Sequence, residues 1–347
     1  MKPPKPTEPT MADVAQAAGV GVATVDRVIN RRAPVRAETA RRVLEAAQAL
    51  GFRRTGLIQR RLGEPTRPPV LGVLLQTERS PFYRELAEAL RAAVRVLPEP
   101  PPELLIVHLG DLTPRSVAHH LAALGQRCDA VALVAAEHPQ ITQAVEAVSA
   151  DGVPVFALVS DLSSPALAAY VGVDNRKMGR MAAWTMAHLS RGPGKVGLIL
   201  GSHRYLCQEQ CEIGFRSYLR EHAPNFHLLE TLVSLEDVQV AQTAVLELLH
   251  QHPDLVGIYI AGGGIEGVLE GLTAGLPPRL VTVCHDLTDV TRQALLDGHV
   301  SMVLSHPREG MARRLIELMG AAVRGPHPPQ GRALPPLPFD IHTVANV

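Results

Sequence analysis

At 347 residues the chain is too long for one ordinary core and points to two or three domains. With 46% hydrophobic and 20% charged residues it has the composition of a folded globular protein. No apolar run approaches the ~18 residues of a bilayer span, and Met1–Thr10 lacks the apolar region of an export signal, so a cytoplasmic protein with no membrane partner is expected. Lys+Arg and Asp+Glu balance at 34 each, but thirteen basic residues face only six acidic ones up to Arg67, a local +7 that leaves −7 on the remainder. A basic N-terminal module on an acidic body fits a polyanionic partner for the first part alone. Cys128, Cys207, Cys211 and Cys284 are too few and too scattered for a disulfide framework. The i, i+4 spacing of Cys207 and Cys211 is not a zinc pattern, and no metal or cofactor is expected.

Residues 1–9 read as a tail and 10–54 as a helical DNA-binding unit. In Thr10–Asn30, Gly19 sits where a tight turn between two crossing helices needs positive φ. Ala15, four positions earlier, permits close approach, and Val14, Ala18, Val20, Val25 and Val28 supply a shared core. A third helix over Ala37–Leu50 brings Val43, Leu44, Ala47 and Leu50 to one face. In a helix-turn-helix the second helix, here Val22–Ile29, enters the major groove. Val22, Ala23 and Arg27 then face base edges. Arg27 has the fork that reads guanine bidentately, and Val22 and Ala23 offer apolar contacts such as thymine methyls. Thr24 and Asn30 are candidates for phosphate contacts. Residues 55–69, rich in Arg, Gly and Pro, read as a linker.

Beyond Pro69 the pattern changes to short apolar runs alternating with amphipathic helices. The runs are Val70–Leu75, Leu104–Leu109, Ala130–Ala135, Val153–Val159, Val196–Leu200, Val256–Ala261 and Leu280–Cys284. Helices over Phe82–Val96, Arg176–Leu189, Cys211–Glu221 and Val238–His250 follow or separate them. Strands this apolar are buried on both faces, which means parallel sheets and an α/β class. Seven or so βα units over residues 70–347 suit two doubly wound subdomains. The stretches Pro98–Pro102 and Pro326–Pro338 read as loops.

The stretch Ala12-Asp-Val-Ala, Ala18-Gly-Val, Ala23-Thr-Val-Asp-Arg-Val-Ile-Asn30 through Arg41-Arg-Val-Leu-Glu-Ala-Ala-Gln-Ala-Leu-Gly-Phe52 resembles the lactose-repressor/galactose-repressor family of transcription regulators. Tyr170-Val-Gly-Val-Asp-Asn-Arg-Lys-Met-Gly179 is a second signature of that family. The resemblance implies a homodimeric repressor on double-stranded, inverted-repeat operator DNA. It also implies a hinge helix that wedges a leucine, here Leu62, into the minor groove. The remaining chain would be a periplasmic-binding-protein-like sensor whose two subdomains hold a sugar- or polyol-like effector between them. The chain departs from the family pattern at Gly21 (usually Ser or Thr), at Asp26 (often Ser) and at Arg54-Thr55 (usually Pro-Asn).

Within the sensor, Ser80-Pro-Phe-Tyr83 resembles the family's first aromatic loop, so Phe82 and Tyr83 are expected to line the cleft. The resemblance also places Asp161 toward ligand hydroxyls. Cys211 takes the slot three before Gly214-Phe215 where the family often has Arg, and Ser305 the slot before the late His-Pro where an amide is common. Asp286, in Cys284-His-Asp-Leu-Thr288 at a strand end, is the strongest effector candidate, because acceptors at strand C-termini suit polyol recognition. One competing reading exists. Gly262-Gly-Gly-Ile-Glu-Gly267 matches G-x-G-x-x-G between a strand and a helix, with Asp286 about 20 residues on, a partial NAD(P) fingerprint.

Overall fold

The computed structural model describes residues 9–30, 35–52, 68–98, 100–275, 280–324 and 334–347. The expected linker lies almost wholly outside these residues, as does Leu62. Three N-terminal helices, α1 (Met11–Ala18), α2 (Val22–Asn30) and α3 (Ala37–Ala49), pack on one small core. Thr10 and Asp13 form a reciprocal capping box that starts α1. Gly19 ends it in the left-handed region at φ 63°. Arg42 on α3 reaches over to the freed carbonyl of Ala18 at 3.1 Å, satisfying a group that helix termini leave bare. Val14, Ala15, Ala18, Val25, Val28, Val43 and Ala47 are buried as their spacing predicts, with Ile29 and Phe52 beside them. Leu50 is a correction. It sits just past the end of α3 and is 38% exposed, while Ala40 and Ala46 fill the inward face.

The body consists of two sheets. The first has the order β2-β1-β3-β4-β5, from β1 (Val70–Leu75), β2 (Glu103–His108), β3 (Ala130–Leu133), β4 (Val155–Leu158) and β5 (Ala169–Val171), all parallel. Side chains alternate across it. Leu71, Val73 and Leu75 meet α4 (Pro81–Arg95) and the late helix α12 (Arg308–Arg324). Leu74, Val131, Leu133 and Val155 meet α5 (Pro114–Arg127) and α6 (Pro139–Ala150) on the other face. Burial on both faces accounts for the continuous apolar runs.

The second sheet runs β12-β11-β10-β9-β6-β7, with β8 also on β6. Its strands are β6 (Lys195–Leu200), β7 (His227–Leu228), β8 (Leu232–Val233), β9 (Leu255–Ile260), β10 (Val281–His285), β11 (Met302–Ser305) and β12 (Asp340–His342). Helices α7 (Asn175–Leu189) and α8 (Leu206–His222) cover one face. Helices α9 (Val238–Gln251), α10 (Ile265–Gly275) and α11 (Asp289–Leu296) cover the other. Only β12 is antiparallel, on the sheet edge.

Both sheets have the doubly wound order 2-1-3-4-5 when their parallel strands are numbered within each sheet and β7 and β8, which share the edge of β6, count as one. The chain passes between subdomains after β5, again between β11 and α12, and a third time before β12. Two of these passages touch: Leu337 N–H donates to the Gly172 carbonyl at 2.9 Å beside a bridge from Val173 to Leu337. Strand β4 is shorter than the apolar run because Val159 turns to φ 64°, a conformation that β-branched residues avoid. Helix α8 begins five residues before Cys211, which brings Cys207 and Gln208 onto its first turn.

Candidate functional site

In a doubly wound sheet the loops after the strands' C-terminal ends form the binding crevice, at the point where strand order reverses. Here the two subdomains point those ends at each other and enclose a cavity of about 690 Å³, within the usual size range of small-molecule sites. The first subdomain contributes Gln76 after β1, Leu109 and Gly110 after β2, Val134 after β3, and Val159 and Ser160 after β4. The second contributes Tyr205, Cys207 and Gln208 after β6, and Glu236 after β8. It adds the Gly262–Gly264 loop after β9, His285 and Asp286 at the end of β10, and His306 after β11.

Phe82 and Tyr83 stand at the start of α4 and line this cavity, their rings 5.0 Å apart in an edge arrangement. Phe82 also lies 5.6 Å from the His306 ring. Burial, reinforced by the nearby Glu236 carboxylate, pushes the Tyr83 hydroxyl well above its ordinary range, so it is a neutral phenol. Asp286 lines the cavity as well, with left-handed backbone at φ 60°. Its carboxylate is already engaged: His306 donates from its backbone N–H at 2.9 Å, and its Nδ1 lies 3.0 Å from Oδ1. Burial acts to raise the Asp286 pKa, but His306 outweighs it and holds the group below its ordinary value. His285 is almost wholly buried at the cavity wall, with Nε2 2.7 Å from the Tyr259 hydroxyl. Burial lowers its pKa to about 4, so the ring is neutral at pH 7.

Three expected effector residues lie elsewhere. Asp161 is outside the cavity lining, where its carboxylate accepts from the Leu162 N–H at 2.8 Å. Cys211 is buried in the core beneath α8, and its backbone carbonyl lies against Gly179 of α7, where any side chain would collide. The Ser305 hydroxyl accepts from the Leu287 N–H at 2.8 Å and braces the Asp286 loop from behind. In each case a local hydrogen bond or helix contact turns the residue away from the cleft.

Glu236 was missed by sequence reasoning. Ser234-Leu-Glu-Asp-Val reads as an ordinary helix start, but Leu235 and Glu236 both take left-handed backbone, at φ 56° and 61°. Gln208 Nε2 donates to Glu236 Oε1 at 2.7 Å, and Gln208 Oε1 in turn accepts from Gly201 N–H and Ser202 N–H, both at 2.8 Å. The carboxylate occupies space that a side chain at Gly201 or Gly263 would fill. Among the described residues, the four non-glycine positions with positive φ are Val159, Leu235, Glu236 and Asp286. Three of them line the cavity. Strain of about 1–3 kcal/mol per such residue persists where the surroundings over-determine it, and it concentrates at ligand clamps. A polar residue directly after an apolar run, as in Leu75-Gln76, was the signal available for Gln76.

The glycine loop does not cradle a phosphate. Gly263 N–H already serves the Glu236 carboxylate, and its carbonyl accepts from the Ser234 hydroxyl at 2.7 Å. A diphosphate there would meet a carboxylate. Among the described residues no group of three or more His, Cys, Asp or Glu is placed to hold a metal, and no helix is long and apolar enough to cross a membrane.

In the N-terminal unit, Val22, Ala23 and Arg27 are exposed and Thr24 is half-buried, opposite the buried Val25, Val28 and Ile29. Asn30 closes α2. Gly21 gives that helix no side-chain cap, and its carbonyl accepts from the Thr24 N–H at 2.8 Å.

Comparison with known proteins joins the two halves. Residues 10–55 match the family of bacterial regulatory proteins, lacI family, and residues 111–327 match the periplasmic binding protein domain. The transcriptional regulator GalS of Salmonella typhimurium is 25% identical over 90% of both chains. MalR of Streptomyces coelicolor is 31% identical over 59% of this chain and 57% of its own. An uncharacterized regulator from Streptomyces limosus is 27% identical over 70% of this chain and 68% of its own. Among solved structures, a solute-binding protein of Agrobacterium vitis bound with α-D-tagatopyranose has a TM-score of 0.72 at 19% identity, covering 80% of this chain and 95% of that one. One from Burkholderia graminis in complex with D-arabinose has a TM-score of 0.73 at 19% identity, covering 82% and 98%. Residues 10–55 are a lacI-family helix-turn-helix unit, and residues 111–327, more than half of the chain, belong to the periplasmic binding protein domain family; the chain is a DNA-binding transcription regulator built on that domain.

Proposed function

We propose that this regulator is a homodimeric cytoplasmic repressor whose operator affinity is set by a sugar- or polyol-like effector held between its two α/β subdomains. The observation that carries the reading is the cavity itself, where the C-terminal ends of two 2-1-3-4-5 sheets face each other across aromatic and carboxylate side chains. Phe82 and Tyr83 offer ring faces to sugar C–H groups, and Asp286 with its His306 partner offers acceptors to hydroxyls. The fold neighbours of Agrobacterium vitis and Burkholderia graminis hold monosaccharides, which supports the ligand class.

The subdomains also touch beside the cavity. Glu137 N–H donates to the Arg204 carbonyl at 2.7 Å. Arg308 pairs with Glu85 at 2.9 Å while donating to the Leu287 carbonyl at 2.9 Å. A ligand that binds one arrangement of these contacts better than the other shifts the balance by the difference in affinity. Residues 55–69 would transmit that shift to the headpiece, with Leu62 as the minor-groove wedge. Val22, Ala23, Thr24, Arg27 and Asn30 would contact the operator.

Footprinting on the DNA upstream of its own gene tests the regulator half. Protection of an inverted repeat is expected; uniform, salt-sensitive coverage of any sequence would overturn it. The effector half is tested by calorimetry with neutral monosaccharides and polyols, where binding that phosphorylated sugars do not share is expected.

A further inference from the structure

The ionisable groups lining the cavity are lopsided in sign. Glu236, Asp237, Glu266 and Asp286 face it, against Arg79 alone among the cations. Asp286 is matched by His306. Among the described residues no cation acts on Glu236: its own burial and the like charge of Glu266 raise its pKa, against the Gln208 amide and the Gly263 N–H, which lower it. The fold invests in placing it there, through two consecutive left-handed residues and two glycines that clear its space. Burial holds the Glu236 pKa above its ordinary value, so its ionised form is one that a bound cation would stabilise.

A second, independent group points the same way. His306 is 6% exposed and lines the cavity, and its Nε2 has no hydrogen-bond partner. Its Nδ1 sits on the Asp286 carboxylate, and in the tautomer that puts the proton there Nε2 is an acceptor. A buried acceptor without a donor is costly unless a ligand supplies one. The Phe82 ring lies 5.6 Å from that of His306, and the Tyr83 hydroxyl feels the charges of both Glu236 and Asp286.

We propose that the effector is a hydroxylated amine, such as an amino sugar or amino polyol, whose ammonium pairs with Glu236 and whose hydroxyl donates to His306 Nε2. The inference rests on the cleft being the effector site and narrows the ligand class of that site. A neutral sugar fills the same volume and satisfies His306, but leaves Glu236 without its counter-charge. A uronic acid or sugar phosphate brings a like charge to the cavity.

The test is calorimetric titration of the full chain with matched pairs: D-glucosamine and D-glucose, D-galactosamine and D-galactose, D-mannosamine and D-mannose, and an amino-deoxy polyol with its parent. In at least one pair the amine should bind roughly tenfold or more tighter than its neutral parent, as removal of one partner from a desolvated charge pair implies. Glu236→Gln should bring that ratio to within roughly threefold while neutral-sugar binding persists, which also shows that the variant is folded. Equal binding within every pair in the unmodified protein would overturn the proposal, as would an amine preference that survives Glu236→Gln. Binding by neutral sugars alone overturns the amine inference and leaves the sugar-responsive regulator intact. Binding by neither class overturns both.

Discussion

His285 ends β10, buried against Tyr259 and 6.4 Å from the His306 ring. Burial lowers its pKa from 6.5 to about 4; Asp286 pulls the other way and His306 adds to the lowering. The unfolded chain therefore binds this proton more readily than the fold does. Stability from the neutral ring is complete above pH about 6.5 and is lost as pH falls toward about 4. The gap corresponds to about 3 kcal/mol, a substantial fraction of the ~5–15 kcal/mol that holds a typical protein. Urea unfolding between pH 7.5 and 4 measures it, run on the native chain and on His285→Gln, whose amide can still meet the Tyr259 hydroxyl. Subtracting the two curves removes common contributions. Among these is His342, whose pKa burial lowers; Asp286 loses its contribution only below its ordinary 3.8. The native chain should lose about 3 kcal/mol more than the variant over that window. Parallel curves would refute the reasoning, because they would mean that the ring takes up its proton in the fold as easily as in water.

Three further predictions bear on other parts of the molecule. Gly263→Ala puts a methyl where the Glu236 carboxylate sits; it should abolish effector binding in calorimetry while DNA affinity without effector is unchanged. Val25→Ala removes buried volume at the centre of the headpiece core and should destabilise that unit by about 2 kcal/mol. Scanning calorimetry should show it as a lower headpiece transition with the body's transition in place. Arg27→Ala should relax the preference at one base pair per half-site, a loss of about 1–3 kcal/mol of discrimination, read by competition with single-base operator variants.

The headpiece was legible because its determinants are local. Gly19 at a left-handed turn, Ala15 at a helix crossing and the spacing of Val14, Val25 and Val28 each act within a few residues. The α/β class was legible from apolar runs buried on both faces. The site was legible only in part. Phe82 and Tyr83 open the helix that follows β1 after a short loop, and Asp286 sits at the end of β10, so their positions come from the loops at strand ends. Cys211, Asp161 and Ser305 lie close in the chain to cavity residues. Whether they face the cavity is decided by the packing of α8 on α7 and by hydrogen bonds to Leu162 and Leu287. Glu236 depends on two left-handed residues that no propensity foretells. Strand β11 is four residues long and was passed over, although it carries His306 to the cavity.

In the proposed regulator cleft and headpiece are energetically coupled, and linkage makes that coupling measurable from either side. Operator affinity is measured at fixed salt with and without the cleft ligand identified by calorimetry, and ligand affinity with and without operator. A change in the first of roughly 5- to 150-fold is expected, with the same factor in the second. A ligand affinity indifferent to operator DNA would contradict it.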